Sequence, residues 1–145
     1  MSHHLVEAKS LSFQWDDAPV LRDLSFVITH GESVAVIGAN GAGKSTLLLQ
    51  MTGCLLPTRG EMRIGDLPVT RKTLATVRRA VGMVFQEADD QLFMPTVFED
   101  VSFGPRNLGL SAEEVKVRVE AALATVGADH LHDRPPYKLS GGEKR

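Results

Sequence analysis

The stretch Gly38-Ala39-Asn40-Gly41-Ala42-Gly43-Lys44-Ser45 constrains this chain more than any other, because it joins two segments of opposite character. Before it, Val34-Ala35-Val36-Ile37 is a short continuous apolar run, the pattern of a strand buried on both faces of a parallel sheet. After it, residues 44–51 read as a helix that Gly53 and Pro57 bring to an end. The spacing G-x-x-x-x-G-K-[ST] is met at every fixed position. Glycines let such a loop wrap until its backbone N–H groups converge on phosphate oxygens, and the following helix aims its positive dipole end at the same place. Lys44 adds a full charge suited to β- and γ-phosphates, and the Ser45 hydroxyl is placed to hold Mg²⁺. The sequence therefore predicts an α/β fold with a triphosphate cradle at 38–45.

The rest of the composition narrows the class. With 145 residues, 16 basic against 18 acidic and a net charge of −2, the chain lacks the basic excess of a nucleic-acid binder, and no nucleic-acid partner is expected. No stretch approaches the roughly 20 apolar residues of a membrane span, and Met1 to Val6 has neither the basic end nor the apolar core of a signal peptide. The single cysteine, Cys54, excludes an internal disulfide and fits a reducing compartment. The expectation is an intracellular domain, or part of one.

Periodicity supplies the remaining elements. Leu5 to Trp15 alternates, with Leu11, Phe13 and Trp15 on one side, and Val20 to Thr29 places Leu24, Phe26 and Ile28 on one face. Residues 16–19 form the turn between them. Glu61 to Gly65 reads as a short edge strand, 71–80 as helix, Val81 to Gln86 as a second strand of the buried type, and 89–95 as a loop. A helix over 96–108 should break near Gly104-Pro105. Ser111 and Glu114 form a capping box opening a helix with Val115, Val119, Ala122, Leu123 and Val126 on its apolar face, closed by Gly127. His130-Leu131-His132-Asp133 reads as a polar loop rather than a metal site, and Cys54 as a small core or helix-end residue.

Leu139-Ser140-Gly141-Gly142-Glu143 carries a second capping box, so a helix should begin there. Two glycines in its first turn weaken a helix by roughly 1 kcal/mol each, which is tolerable where something must approach the backbone. Together with the cradle at 38–45, this stretch resembles the ATP-binding cassette (ABC) ATPase family, whose signature is L-S-G-G-[EQ]. The resemblance covers essentially the whole chain. It implies a P-loop nucleoside triphosphatase fold with a RecA-like core, an antiparallel β subdomain and a helical subdomain, incomplete at the C-terminal end. Residues 1–86 would hold the β subdomain and phosphate-loop core, and 87–145 the helical subdomain up to the signature. The resemblance further implies ATP and Mg²⁺ as ligands, held by Gly38, Asn40, Gly41, Gly43, Lys44, Ser45 and Thr46. Ser140, Gly141 and Gly142 would face the γ-phosphate of ATP on a second ATPase subunit, paired head to tail. Trp15 falls where the family stacks an aromatic on adenine, with a strand-end core residue as the equal alternative. Gln86 matches the glutamine that touches Mg²⁺ and the attacking water, which with Lys44 would make up the catalytic set present.

The stretches 84–93, 96–105 and 107–110 are similar to the ATPases of energy-coupling-factor importers, which include cobalt, nickel and vitamin importers. In these, the segment after the glutamine, here 87–93, meets a transmembrane coupling subunit, and cargo is chosen by a separate membrane subunit. The implied location is the cytoplasmic face of the membrane, as a peripheral subunit. Phe98 and Phe103 read as subdomain core. The family's apolar strand ending in Asp-Glu and its switch histidine fall beyond Arg145, and none of His3, His4, His30, His130 or His132 is placed to serve as that histidine. Without the general base, hydrolysis by these residues alone is expected to fall roughly 10²–10⁴-fold, and the polypeptide alone to be poorly stable. The alternatives are a cassette ATPase acting on ribosomes or DNA and a remnant that binds nucleotide without turnover. A phosphate-loop kinase has no use for 139–143.

Overall fold

The computed structural model describes residues 4–144; the readings that fall on Met1–His3 and on Arg145 lie outside the described residues. The chain divides into two compact units, Met1–Met83 and Val84–Arg145.

The first unit is built on an antiparallel sheet in the order β2-β1-β3-β4. Its strands are β1 His4–Trp15, β2 Ala18–Thr29, β3 Arg59–Ile64 and β4 Leu67–Pro68. The first two form a hairpin, with Phe13 opposite Leu21 and Trp15 opposite Ala18. The expected edge strand over 61–65 is β3, which pairs with β1 and so lies inside the sheet, while the two-residue β4 takes the edge. Alternation in β1 is interrupted at Ser10, which has φ +45° and accompanies register shifts against both neighbours. That bulge needs Gly60 opposite it: a Cβ there would stand 2.2 Å from the Ser10 carbonyl oxygen, and Gly60 also has φ +77°. The helices α1 Lys44–Met51 and α2 Leu74–Ala80 contribute Leu47 and Val77 to a core shared with Ala8, Leu11, Phe13, Leu21, Met62, Ile64 and Val69. Gln50 of α1 is also fully buried, yet its side-chain Nε2 and Oε1 have no hydrogen-bond partner among the described residues.

Two readings fail here. Neither Val34–Ile37 nor Val81–Gln86 forms a strand, and Val34, Val36, Ile37 and Val84 are exposed, Ile37 at 92%. Apolar composition announces a strand that wants neighbours on both sides, but a ladder needs those neighbours. Among the described residues no strand lies beside either run.

The second unit packs α3 Val97–Asn107 against α4 Ala112–Thr125 around Val97, Val115, Val119, Leu123, Leu131 and Leu139. Thr96 caps α3 by accepting the Glu99 N–H. The helix does not break at Gly104-Pro105 as its composition suggests. It runs through both and ends at Asn107, because Pro105 stands in the last turn, where the bond its missing N–H forfeits is one of few remaining. The Ser111–Glu114 capping box is formed in both directions. Of the apolar face read for α4, Val115, Val119 and Leu123 are buried, whereas Ala122 and Val126 are exposed. The buried seam is a single i, i+4, i+8 row, narrower than the pattern implied. Residues 88–90 form one 3-10 turn within the expected loop.

Candidate nucleotide-binding site

The phosphate loop is shaped by what surrounds it. Gly43 has φ +90° and is the N-cap of α1. A Cβ at that position would come within 2.8 Å of Leu21 Cδ2 and 3.2 Å of the Val20 carbonyl oxygen on β2, so the loop turns directly on the hairpin. At Gly41, φ is +81° and a Cβ would meet nothing within 4 Å, leaving open space beside the loop. The turn is closed by the Ala42 N–H donating to the Ala39 carbonyl at 3.2 Å. Lys44 folds back over it, its Nζ donating to the carbonyl oxygens of Gly38 and Ala39, each at 2.8 Å. Asn40, Gly41 and Ser45 are exposed, and Gly43, Lys44 and Thr46 are half-buried. Helix α1 has no acidic residue in its first turn and no side-chain cap. Its leading N–H groups are thus left without a side-chain cap, and Lys44 and the exposed Ser45 open the same helix. Such a donor set fits a polyphosphate, with Ser45 the oxygen ligand available to Mg²⁺.

Trp15 stands at the tip of the same hairpin, 53% exposed. It makes an edge-to-face contact with Phe13 at 5.1 Å, and it is not a core residue, because it is the last residue of β1, at the turn of the hairpin. The hairpin thus joins the indole to the strand on which Gly43 turns.

The remaining candidates belong to the second unit. Gln86 is exposed, just before the 88–90 turn. At the other end of this unit, the Ser140 N–H donates to Glu143 Oε2 at 2.7 Å, the Glu143 N–H to Ser140 Oγ at 3.3 Å, and the Lys144 N–H to the Ser140 carbonyl at 3.1 Å. The capping box is made, but the expected helix is a single turn among the described residues; one turn is the costly nucleus that later residues must repay. The bond from the Ser140 backbone, and after it the Ser140 hydroxyl, hold the Glu143 carboxyl below its ordinary pKa; Arg134 lies 3.9 Å away. Gly141 and Gly142 line one cavity of about 390 Å³ together with Glu87, Ala88, Asp89 and Lys144. Signature turn and post-glutamine segment are therefore neighbours, which sequence spacing could not reveal. The aromatic residues divide: Phe98 packs on the core and against the His132 ring at 4.5 Å, while Phe103, read as core, is exposed and meets Phe93 edge-to-face at 5.0 Å. His132 Nδ1 lies 2.7 Å from Asp133 Oδ1. Cys54 is exposed at the end of α1, so of its two readings only the helix-end one holds.

The loop at 38–45 and the Ser-Gly-Gly turn are the two features that the family resemblance rests on, and comparison with known proteins shows the family. A family model described as "ABC transporter" matches residues 21–145, and the chain belongs to that family. It is 50% identical over 145 residues to the energy-coupling factor transporter ATP-binding protein EcfA of Methanocaldococcus jannaschii, covering 98% of this chain and 52% of that one. It is 51% identical over 144 residues to the cobalt import ATP-binding protein CbiO of Rhodobacter capsulatus, covering 97% and 51%. Among solved structures, cbiO1 from Clostridium perfringens, part of the ABC transporter complex cbiONQ, superposes with a TM-score of 0.84 at 36% identity, over 99% of this chain and 58% of that one. The chain spans about half the length of the curated relatives it matches. No helix among the described residues is long and apolar enough to cross a membrane.

Proposed function

We propose that this chain is the nucleotide-binding part of the ATPase subunit of an energy-coupling-factor type importer, driving uptake of a metal ion such as cobalt or nickel, or of a vitamin. The observation that carries the reading is the phosphate loop, with its open mouth at Gly41 and the Lys44 ammonium poised on its rim. Relatives named for energy-coupling factor transport and cobalt import support the branch.

In this reading the residues divide the work. Gly38, Asn40, Gly41, Gly43 and Thr46 offer backbone around the α-, β- and γ-phosphates, Lys44 neutralises the terminal ones, and Trp15 stacks on adenine. Mg²⁺, held by Ser45 and Gln86, would neutralise phosphate charge and favour attack by water. Ser140, Gly141 and Gly142 present backbone to the γ-phosphate bound by a second ATPase subunit, so ATP is enclosed between two copies of the cassette. Residues 87–93 meet a transmembrane coupling subunit at the cytoplasmic face, and a further membrane subunit selects the cargo. By this division, residues 1–86 form the β subdomain with the phosphate-loop core and 87–145 the helical subdomain.

Trp15 is the sole tryptophan, which makes the decisive test optical. MgATP should quench its fluorescence saturably, inorganic tripolyphosphate should bind without quenching, and Lys44→Ala should weaken MgATP binding about 100-fold, the scale of losing a charge-assisted phosphate contact. Unchanged fluorescence with proven ATP binding would remove Trp15 from the site. Undiminished binding by Lys44→Ala would remove the loop. Copurification with ribosomes rather than with a membrane subunit would overturn the importer assignment.

A further inference from the structure

Lys144 closes the Ser-Gly-Gly turn with its backbone, through the N–H donated to the Ser140 carbonyl. Its side chain meets Asp89, Nζ to Oδ1 at 2.6 Å, across 55 residues of sequence. The two partners are unequally placed: the Lys144 side chain is 15% exposed and that of Asp89 77%. Two carboxylates that line a cavity with Lys144 are committed elsewhere. Asp100 Oδ1 accepts the N–H groups of Phe93 and Met94, both at 2.9 Å, and Glu143 accepts from Ser140. The segment after Gln86 is therefore pinned at two points. Asp100 fastens its far end to α3, and the Asp89–Lys144 pair fastens its near end to the turn that carries Gly141 and Gly142.

These fastenings differ in kind. The first is a pair of backbone bonds to one carboxylate on a helix. The second is a single ion pair whose acidic partner sits at the surface, where such pairs are weak and readily exchanged. We propose that the Asp89–Lys144 pair is the link that makes the shape of the Ser140–Lys144 turn depend on what occupies residues 87–93, with Lys144 as a positioning residue. This rests on the reading that 87–93 is where the membrane subunit docks. A body pressing on that segment moves Asp89, Asp89 moves the Lys144 side chain, and the same residue's backbone re-aims the glycine N–H groups that would meet the γ-phosphate.

The test joins amide hydrogen exchange with partner-stimulated ATP hydrolysis, both on the full-length protein. The variants are Asp89→Asn, Lys144→Met, Lys144→Arg and the reversed pair Asp89→Lys with Lys144→Asp. Asp89→Asn should speed exchange at Gly141–Lys144 about three- to fivefold, and Lys144→Met should do the same at 88–92. Lys144→Arg should leave both near wild type, and the reversed pair should recover most of the protection. The same order should hold for stimulation by the membrane subunit: lost in the single neutral variants, largely regained in the reversed pair. Independent exchange in the two segments would overturn the link. Coupled exchange with normal stimulation in Asp89→Asn would overturn its role in transmission. A wild type with coupled exchange and no response to a membrane subunit would sink the docking reading, and the transmission role with it, while leaving the structural link standing.

Discussion

Alanine placed at Gly43 and at Gly41 separates two costs that the phosphate loop combines. Both positions have left-handed backbone, φ +90° and +81°, so each alanine incurs about 1–2 kcal/mol of conformational strain. Only Gly43 also faces a wall. Its Cβ would lie 2.8 Å from Leu21 Cδ2, 3.1 Å from Val20 Cγ1 and 3.2 Å from the Val20 carbonyl oxygen. Leu21 is 5% exposed, so its side chain has little room to yield, and overpacking of this kind costs about 1–3 kcal/mol more. Gly43→Ala should therefore destabilise by about 2–5 kcal/mol and Gly41→Ala by about 1–2. Urea denaturation followed by far-UV circular dichroism reads the difference. With a slope of about 1–3 kcal/mol per molar urea, it is on the order of 1 M in midpoint. Nucleotide binding should sort them differently. The methyl of Gly41→Ala projects into the open space proposed for phosphate and should weaken MgATP binding beyond what its stability loss explains. Equal stability losses for the two variants would refute the packing of Gly43 on β2, and wild-type MgATP affinity in Gly41→Ala would refute the position of the cradle.

Glu114 and Glu143 are both held below the ordinary carboxylate pKa by hydrogen bonds from their capping serines. A lowered folded-state pKa means stability that is fully present above the unfolded value and lost as pH falls through the folded one. Both helix starts should therefore be intact at neutral pH and loosen only below the usual carboxylate range; in Glu114→Gln the acid-dependent loss of α4 ellipticity should shrink, and an unchanged acid profile would contradict the cap assignment. Gln50→Met should stabilise the first unit by about 1–3 kcal/mol in a thermal or urea melt, since it removes two buried groups without partners while keeping the volume. A loss of stability would show that the amide is satisfied after all.

What the sequence disclosed follows the range of the forces involved. The β1–β2 hairpin, α1 and α4 are set by neighbours within a few residues, and their periodicity showed them. The loop at 38–45 was legible for the same reason: its chemistry needs particular residues at fixed short spacing. Val34–Ile37 and Val81–Gln86 were misread as strands because composition records what a segment is suited to, not whether a partner strand stands beside it. Trp15 is exposed because its strand ends there, and Phe103, read as core, forms a surface pair with Phe93. The Asp89–Lys144 contact was invisible, since opposite charges 55 residues apart carry no local pattern.

The pair of bonds from Lys44 to its own loop has a bearing on selectivity between orthophosphate and longer phosphates. The ammonium has three N–H donors and two of them are committed to the Gly38 and Ala39 carbonyls, so an anion that draws on more than the third competes with the loop's own backbone. Hydrogen bonds of a charged donor contribute about 1.5–3 kcal/mol each, toward the lower end here because both are solvent-accessible. A ligand that needs more than the third donor gives back about 1.5 kcal/mol for each carbonyl it displaces. A polyphosphate reaching both the helix end and the ammonium has more contacts with which to offset that cost than a single phosphate group has. If the loop binds nucleotide as proposed, the resting lysine tilts it toward ligands that carry more than one phosphate.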